Sequence, residues 1–170
     1  LAENPSQWSG KDLENLSRAF RKATKPMIIA ANKADIEIAK ENIERLKKEF
    51  PDAIIIPCSA ESELALKEAA KHGLINYVPG ENDFEIIGNE KLNERQRGGL
   101  KLIKEKVLKA YGSTGVQNVL DKTVFELLKY IAVYPVATPK LTDKNNNVLP
   151  DCFLVPENST ALEFAYKVHT

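Results

Sequence analysis

Asn32, Lys33 and Asp35 stand at the end of an apolar run, Met27-Ile28-Ile29-Ala30-Ala31, and their types and spacing suit one kind of ligand. A carboxylate at Asp35 can accept two hydrogen bonds at once, from the N1–H and the exocyclic amine of guanine, a donor pair that adenine does not present. Such a bidentate, charge-assisted contact discriminates between bases by about 1–3 kcal/mol. Lys33 would lay its alkyl stem along the base face, and the Asn32 amide would tie the loop to its neighbours and to the base edge. A solvated turn in which Asp35 caps the following helix is the alternative that these three residues leave open.

The run that delivers them does not alternate, which predicts a buried parallel strand, and in open α/β sheets ligands bind outside the carboxyl ends of the strands. A second apolar run, Ala53 to Pro57, ends on Cys58-Ser59-Ala60. Between the two runs, Ile36, Ala39, Ile43, Leu46 and Phe50 mark one face of a helix stopped by Pro51. Strand, helix and strand in that order predict parallel neighbours, so the two polar clusters should emerge side by side.

The remaining elements follow from periodicity and caps. Ser9 and Asp12 form a capping box for a helix over 9–24, with Leu13, Leu16 and Phe20 as its stripe. A helix is predicted over 62–72 and is stopped by Gly73, with an irregular but apolar connector over 73–89. Leu100, Ile103, Val107 and Tyr111 mark a helix over 91–111 whose other face carries Arg95, Arg97, Lys101, Lys104, Lys106 and Lys109. Because Glu90, Glu94 and Glu105 dilute those cations, a solvated face is favoured over an RNA contact. Thr114 and Gln117 read as a capping box opening a long helix to residue 133, with Val116, Val119, Leu120, Val124, Leu127, Leu128 and Ile131 facing inward. The style then changes: an extended, proline-punctuated stretch over 134–139, a turn at Asn145-Asn146-Asn147, a strand over 151–155, and a helix capped by Thr160 and Glu163 with Leu162, Ala165 and Val168 on its inner side. A hairpin followed by a helix is the opening half of a β-grasp.

With 24 basic against 24 acidic side chains in 170 residues, no global field would recruit nucleic acid or membrane. No apolar run approaches a membrane span, and no signal-peptide pattern is present. Cys58 and Cys152 lack any C-x-x-C context and read as reduced, half-buried thiols of a cytoplasmic protein. His72 and His169 are isolated, so no metal set is expected from His and Cys at ligand spacing. The chain opens on Leu1 and its only methionine lies inside the first strand, which reads as a fragment.

Lys25-Pro26 through Asp35, Ile56 through Ala60, Gly112-Ser113-Thr114-Gly115-Val116-Gln117 with the stretch to Val136, and Val148 through Thr170 together resemble the Obg-related GTPases, most closely the archaeal and eukaryotic branch related to YchF. The resemblance implies an α/β fold: the C-terminal part of a P-loop GTPase over 1–133, a parallel sheet with flanking helices and a helical insertion at about 61–112. The first half of a β-grasp TGS domain would follow over 134–170. It also implies that Asn32, Lys33, Asp35, Ser59 and Ala60 bind GTP or GDP, with a backbone N–H of Ser59-Ala60 offered to guanine O6, and that the whole protein acts in or around translation. Proteins of the YchF type proper carry a changed specificity motif and are linked to ATP, whereas Asn32, Lys33 and Asp35 are retained here and argue for GTP. No G-x-x-x-x-G-K-[ST] occurs, since Gly10-Lys11 is followed by Asp12 and has Pro5 where the first glycine belongs. Without that loop no amides cradle phosphates and no hydroxyl meets Mg²⁺. The chain alone is therefore expected to bind GTP weakly and not to hydrolyse it, with Mg²⁺ required only in the complete parent. The alternative is a module binding ribosome, RNA or a protein partner through the TGS half and the basic helix.

Overall fold

The computed structural model describes residues 4–135, 141–142, 145–148 and 151–169. The chain forms two compact units, residues 1–119 and 120–170.

In the first unit, helix α1 (Gly10–Thr24) begins as its sequence dictates: Ser9 accepts from the Asp12 N–H while the Asp12 carboxylate accepts from the Ser9 N–H. The Ser9 hydroxyl and N–H hold the Asp12 carboxyl below its usual range. Strands β1 (Ile28–Ala31) and β2 (Ile54–Pro57) pair in parallel with Ile28 opposite Ile54 and Ala31 opposite Pro57. Between them α2 (Ala39–Glu49) buries Ile43. It starts three residues later than Ile36 because the chain first turns at Lys33, whose φ is 64°, and Ile36 N–H closes that turn onto the Lys33 carbonyl.

Helix α3 (Ala60–Lys71) begins two residues earlier than its sequence suggests, because Ser59 rather than Ser62 is the N-cap. Gly73 ends it at φ 65°. The connector is not wholly irregular: β3 (Ile75–Asn76) and β4 (Glu85–Ile86) form a two-residue antiparallel ladder that buries Ile75. Helix α4 (Glu94–Ile103) is capped by an Asn93–Gln96 box, three residues after the predicted start, and continues through a π-helical stretch (Lys104–Leu108) into α5 (Lys109–Tyr111), where Gly112 stops it at φ 78°. The main core lies here: Leu66, Leu74, Ile75, Tyr77, Leu92, Leu100 and Leu108 form one buried cluster, joined by Ala69, Ala70, Phe84 and Ile103.

The long helix expected from Thr114 to 133 starts at Val116 and ends earlier than expected. Helix α6 covers Val116–Asp121 and runs through a π-helical stretch (Lys122–Leu127), and the Thr114 hydroxyl before it donates to Glu63. At the other end Lys129 takes φ 54° and the chain becomes strand β5 (Tyr130–Val133), so Ile131 is a strand residue. Leu120 and Leu128 are exposed rather than inward.

In the second unit β5 pairs antiparallel with β6 (Phe153–Pro156), Val133 opposite Phe153. The first strand thus lies before residue 134, and the predicted extended stretch falls mostly at 136–140, outside the described residues. A Thr142–Val148 bridge brackets Asn145-Asn146-Asn147. Helix α7 (Ala161–His169) has the expected cap, Glu163 N–H donating to Thr160 Oγ1 and Thr160 N–H to the Glu163 carboxylate. Its inner side differs from expectation. Leu162 is 65% exposed, and Phe164 is the residue that packs, edge-on to Phe153 at 5.8 Å. Among the described residues no helix is long and apolar enough to cross a membrane.

Candidate functional site

The two polar clusters emerge at the same end of the β1–β2 pair, and hydrogen bonds knit them together. Cys58 N–H donates to the Ala31 carbonyl and Ala34 N–H to the Cys58 carbonyl, both at 3.0 Å, so the ladder continues past the strands and buries Ala34. Asn32 Oδ1 accepts from Lys33 N–H at 2.8 Å within its own loop, and across to the other from Ala60 N–H at 3.1 Å and the Cys58 thiol at 4.0 Å. Ser59 Oγ donates to Asp35 Oδ1 at 2.7 Å. Since that uses the only proton of Ser59, Ser62, whose hydroxyl lies 2.8 Å away, donates to Ser59 in turn. Asp35 therefore does not cap α2; it faces the Ser59 loop.

Lys33 holds a left-handed backbone that costs a residue with a Cβ about 1–2 kcal/mol. The Asn32 side chain on its N–H and the Ile36 N–H on its carbonyl hold it there, leaving the Lys33 side chain exposed. The arrangement provides a rigid carboxylate with unused lone pairs, an Asn amide whose oxygen is committed and whose NH₂ remains to donate, and a long alkyl-ammonium arm. Burial pushes the Cys58 thiol up and keeps it protonated. Beside Asp35 lies a cavity of about 360 Å³ bounded by Glu61 and Ser62 on α3 and by Gly99, Leu102 and Lys106 on the opposing helix.

The resemblance implies a backbone N–H of Ser59-Ala60 for guanine O6, yet both amides are engaged: Ser59 N–H donates to the Thr114 carbonyl at 2.8 Å and Ala60 N–H to Asn32.

Sequence reasoning missed the layer behind these loops. Gly115, at φ 79°, lies so close to the end of β2 that an added Cβ would stand 2.0 Å from the Pro57 carbonyl oxygen. Thr114 is fully buried and donates to the carboxylate of Glu63, which also takes the Tyr77 hydroxyl. The glycines flanking Ser113-Thr114 were the available signal, because closely spaced glycines mark a close backbone approach.

Comparison with known proteins places the chain among relatives. Residues 30–138 match the model of the Obg-like GTPase YGR210-like, G4 motif-containing domain. The chain is 57% identical over its whole length to an uncharacterized GTP-binding protein of Methanocaldococcus jannaschii, and 34% identical over 91% of its length to an uncharacterized GTP-binding protein of Schizosaccharomyces pombe. It spans 43% and 40% of those two relatives. A crystal structure of a GTP-binding protein from Pyrococcus horikoshii aligns with all of this chain and 43% of its own, at a TM-score of 0.64 and 44% identity.

Proposed function

The chain belongs to the YGR210-like Obg-like GTPase family, and from that premise we propose that it carries the guanine-recognition portion of a GTP-binding protein, with Asn32, Lys33, Asp35, Ser59 and Ala60 contacting the base. The observation that carries the reading is the pair of bonds joining the loops, Asn32 to Ala60 and Ser59 to Asp35. Both serve to aim donors and acceptors at one point outside the sheet. Asp35 takes the guanine N1–H and amine, the Asn32 NH₂ donates to the base edge, and O6 shares the Ala60 N–H with Asn32 in a three-centre bond. The ligand is GTP or GDP. Mg²⁺ belongs with a phosphate loop that this sequence does not contain.

The finer parts of the proposal have narrower support. In this reading the GTPase portion, with an insertion at about 61–112, precedes β5, and a TGS domain, expected over 134–170, begins with β5 instead; the order β6, α7 after the antiparallel partner β5 supports a β-grasp start. Kinship to the YchF branch and work on the ribosome rest on the sequence resemblance, and a cytoplasmic location on the cysteine context. The alternative, an RNA- or protein-binding module led by the basic helix, is weakened by how its cations are used. Arg97 donates to the Asn89 carbonyl, Lys104 pairs with Asp83 and Lys109 with Glu105. Titration calorimetry of the full-length gene product with GDP and ADP tests the proposal: GDP should bind at least about tenfold more tightly, and equal affinities would reject it.

A further inference from the structure

Behind the base loops lies a carboxylate that the proposed contacts do not use. Glu63 is 6% exposed and sits on α3 one turn after Ser59. A buried carboxylate is costly unless it is well bonded, and an apolar side chain of similar size would pack the site at no such cost. Its bonds come from two distant segments. Oε2 accepts the Tyr77 hydroxyl at 2.7 Å and the Thr114 hydroxyl at 2.5 Å.

From there an unbroken chain of short bonds reaches the base site. Thr114 offers its carbonyl to the Ser59 N–H at 2.8 Å, and Ser59 donates its hydroxyl to Asp35 at 2.7 Å. Tyr77, at the other end, belongs to the buried cluster around Leu66 and Leu74, so the chain is anchored in the main core. Gly115 lets the Thr114 backbone approach the end of β2 closely enough for the carbonyl to reach Ser59. Burial and the Glu63 carboxylate push the Tyr77 hydroxyl up to about 12, so it remains a donor throughout the neutral range.

We propose that Glu63, with Tyr77 and Thr114, is a positioning set for base recognition, fixing Ser59 and through it the orientation of the Asp35 carboxylate. This rests on the reading that Asp35 binds guanine. It adds that the selectivity of that contact is set by residues that never touch the base.

The test compares GDP with inosine diphosphate, which lacks the exocyclic amine, in the full-length gene product, alongside thermal unfolding. Wild type should prefer GDP by about tenfold or more, the worth of one hydrogen bond to a charged group. Thr114→Val keeps the buried volume but removes the hydroxyl, and should cut that ratio by roughly 3- to 10-fold. Thr114→Ser restores the hydroxyl and should rescue the ratio, even where loss of the methyl lowers the melting temperature. Should Thr114→Val fail to fold, Tyr77→Phe, which removes the outer donor, should lower the ratio in the same direction. A wild-type preference that the Val and Phe variants leave intact, or a ratio that tracks melting temperature through the Ser variant, overturns the inference alone. Equal wild-type affinities overturn the guanine reading and the inference with it.

Discussion

The α3–α5 region and the β1–β2 layer belong to one compact unit but are held together by different forces. Around α3 and α4 seven side chains, from Leu66 to Leu108, close into one apolar cluster. The β1–β2 layer is thinner: among the described residues its strands pair only with each other, and Met27, Ile36 and Phe50 remain 46–51% exposed. What fixes its loops is directional bonding, from Asn32 and Ser59 above all. Apolar burial is non-directional and scales with area, whereas hydrogen bonds fix a position and fail when either partner moves. The α3–α5 cluster should therefore govern how stable the unit is, and the loops which base it reads.

Mutations can break that division, and the largest effect is expected at Leu66, which is fully buried. Leu66→Ala should cost about 2–5 kcal/mol in denaturant unfolding. The comparison predicts that base preference survives in whatever fraction stays folded, and a parallel loss of preference would show that the two regions are not separable. Gly115→Ala comes next, because it forces a Cβ against the Pro57 carbonyl at a positive φ. It should destabilise by more than about 1 kcal/mol and, unlike Leu66→Ala, weaken guanine binding as well. Comparing the two variants at matched folded fractions would separate the effects.

A smaller effect is tied to Tyr77, which joins the two regions. Its folded pKa of about 12 is raised above the ordinary value of 10, first by burial and then by its bond to Glu63. The protonated form is the one the fold favours, so its contribution is complete below about pH 10 and is lost as pH rises toward 12. Wild type should lose stability more steeply than Tyr77→Phe over that window; identical slopes in pH-dependent melting would place the hydroxyl outside the buried network.

What could be read from the sequence was local. The Ser9–Asp12 and Thr160–Glu163 boxes, the two strands, and Asn32-Lys33-x-Asp35 each depend on residues within a few positions of one another. The partner to which the Thr114 hydroxyl donates, Glu63, is 51 residues away, beyond the reach of any local spacing. The switch from helix to strand near Lys129 carries neither Gly nor Pro, so the apolar period appeared to run on to Ile131. The β3–β4 ladder is two residues a side and too short to alternate visibly. In the same way, α7 packs through Phe164 onto a strand aromatic that no helical period could reveal.

The central claim is that the joined loops present the Asp35 carboxylate to guanine. Its most direct measurement is the affinity of the full-length gene product and its Asp35→Asn variant for GDP and for xanthosine diphosphate, whose C2 carbonyl accepts where guanine donates. The account predicts that the substitution weakens GDP by about 10- to 100-fold, equivalent to 1–3 kcal/mol, and strengthens the xanthine nucleotide because the new amide can donate to that carbonyl. Unchanged affinities for both would contradict it.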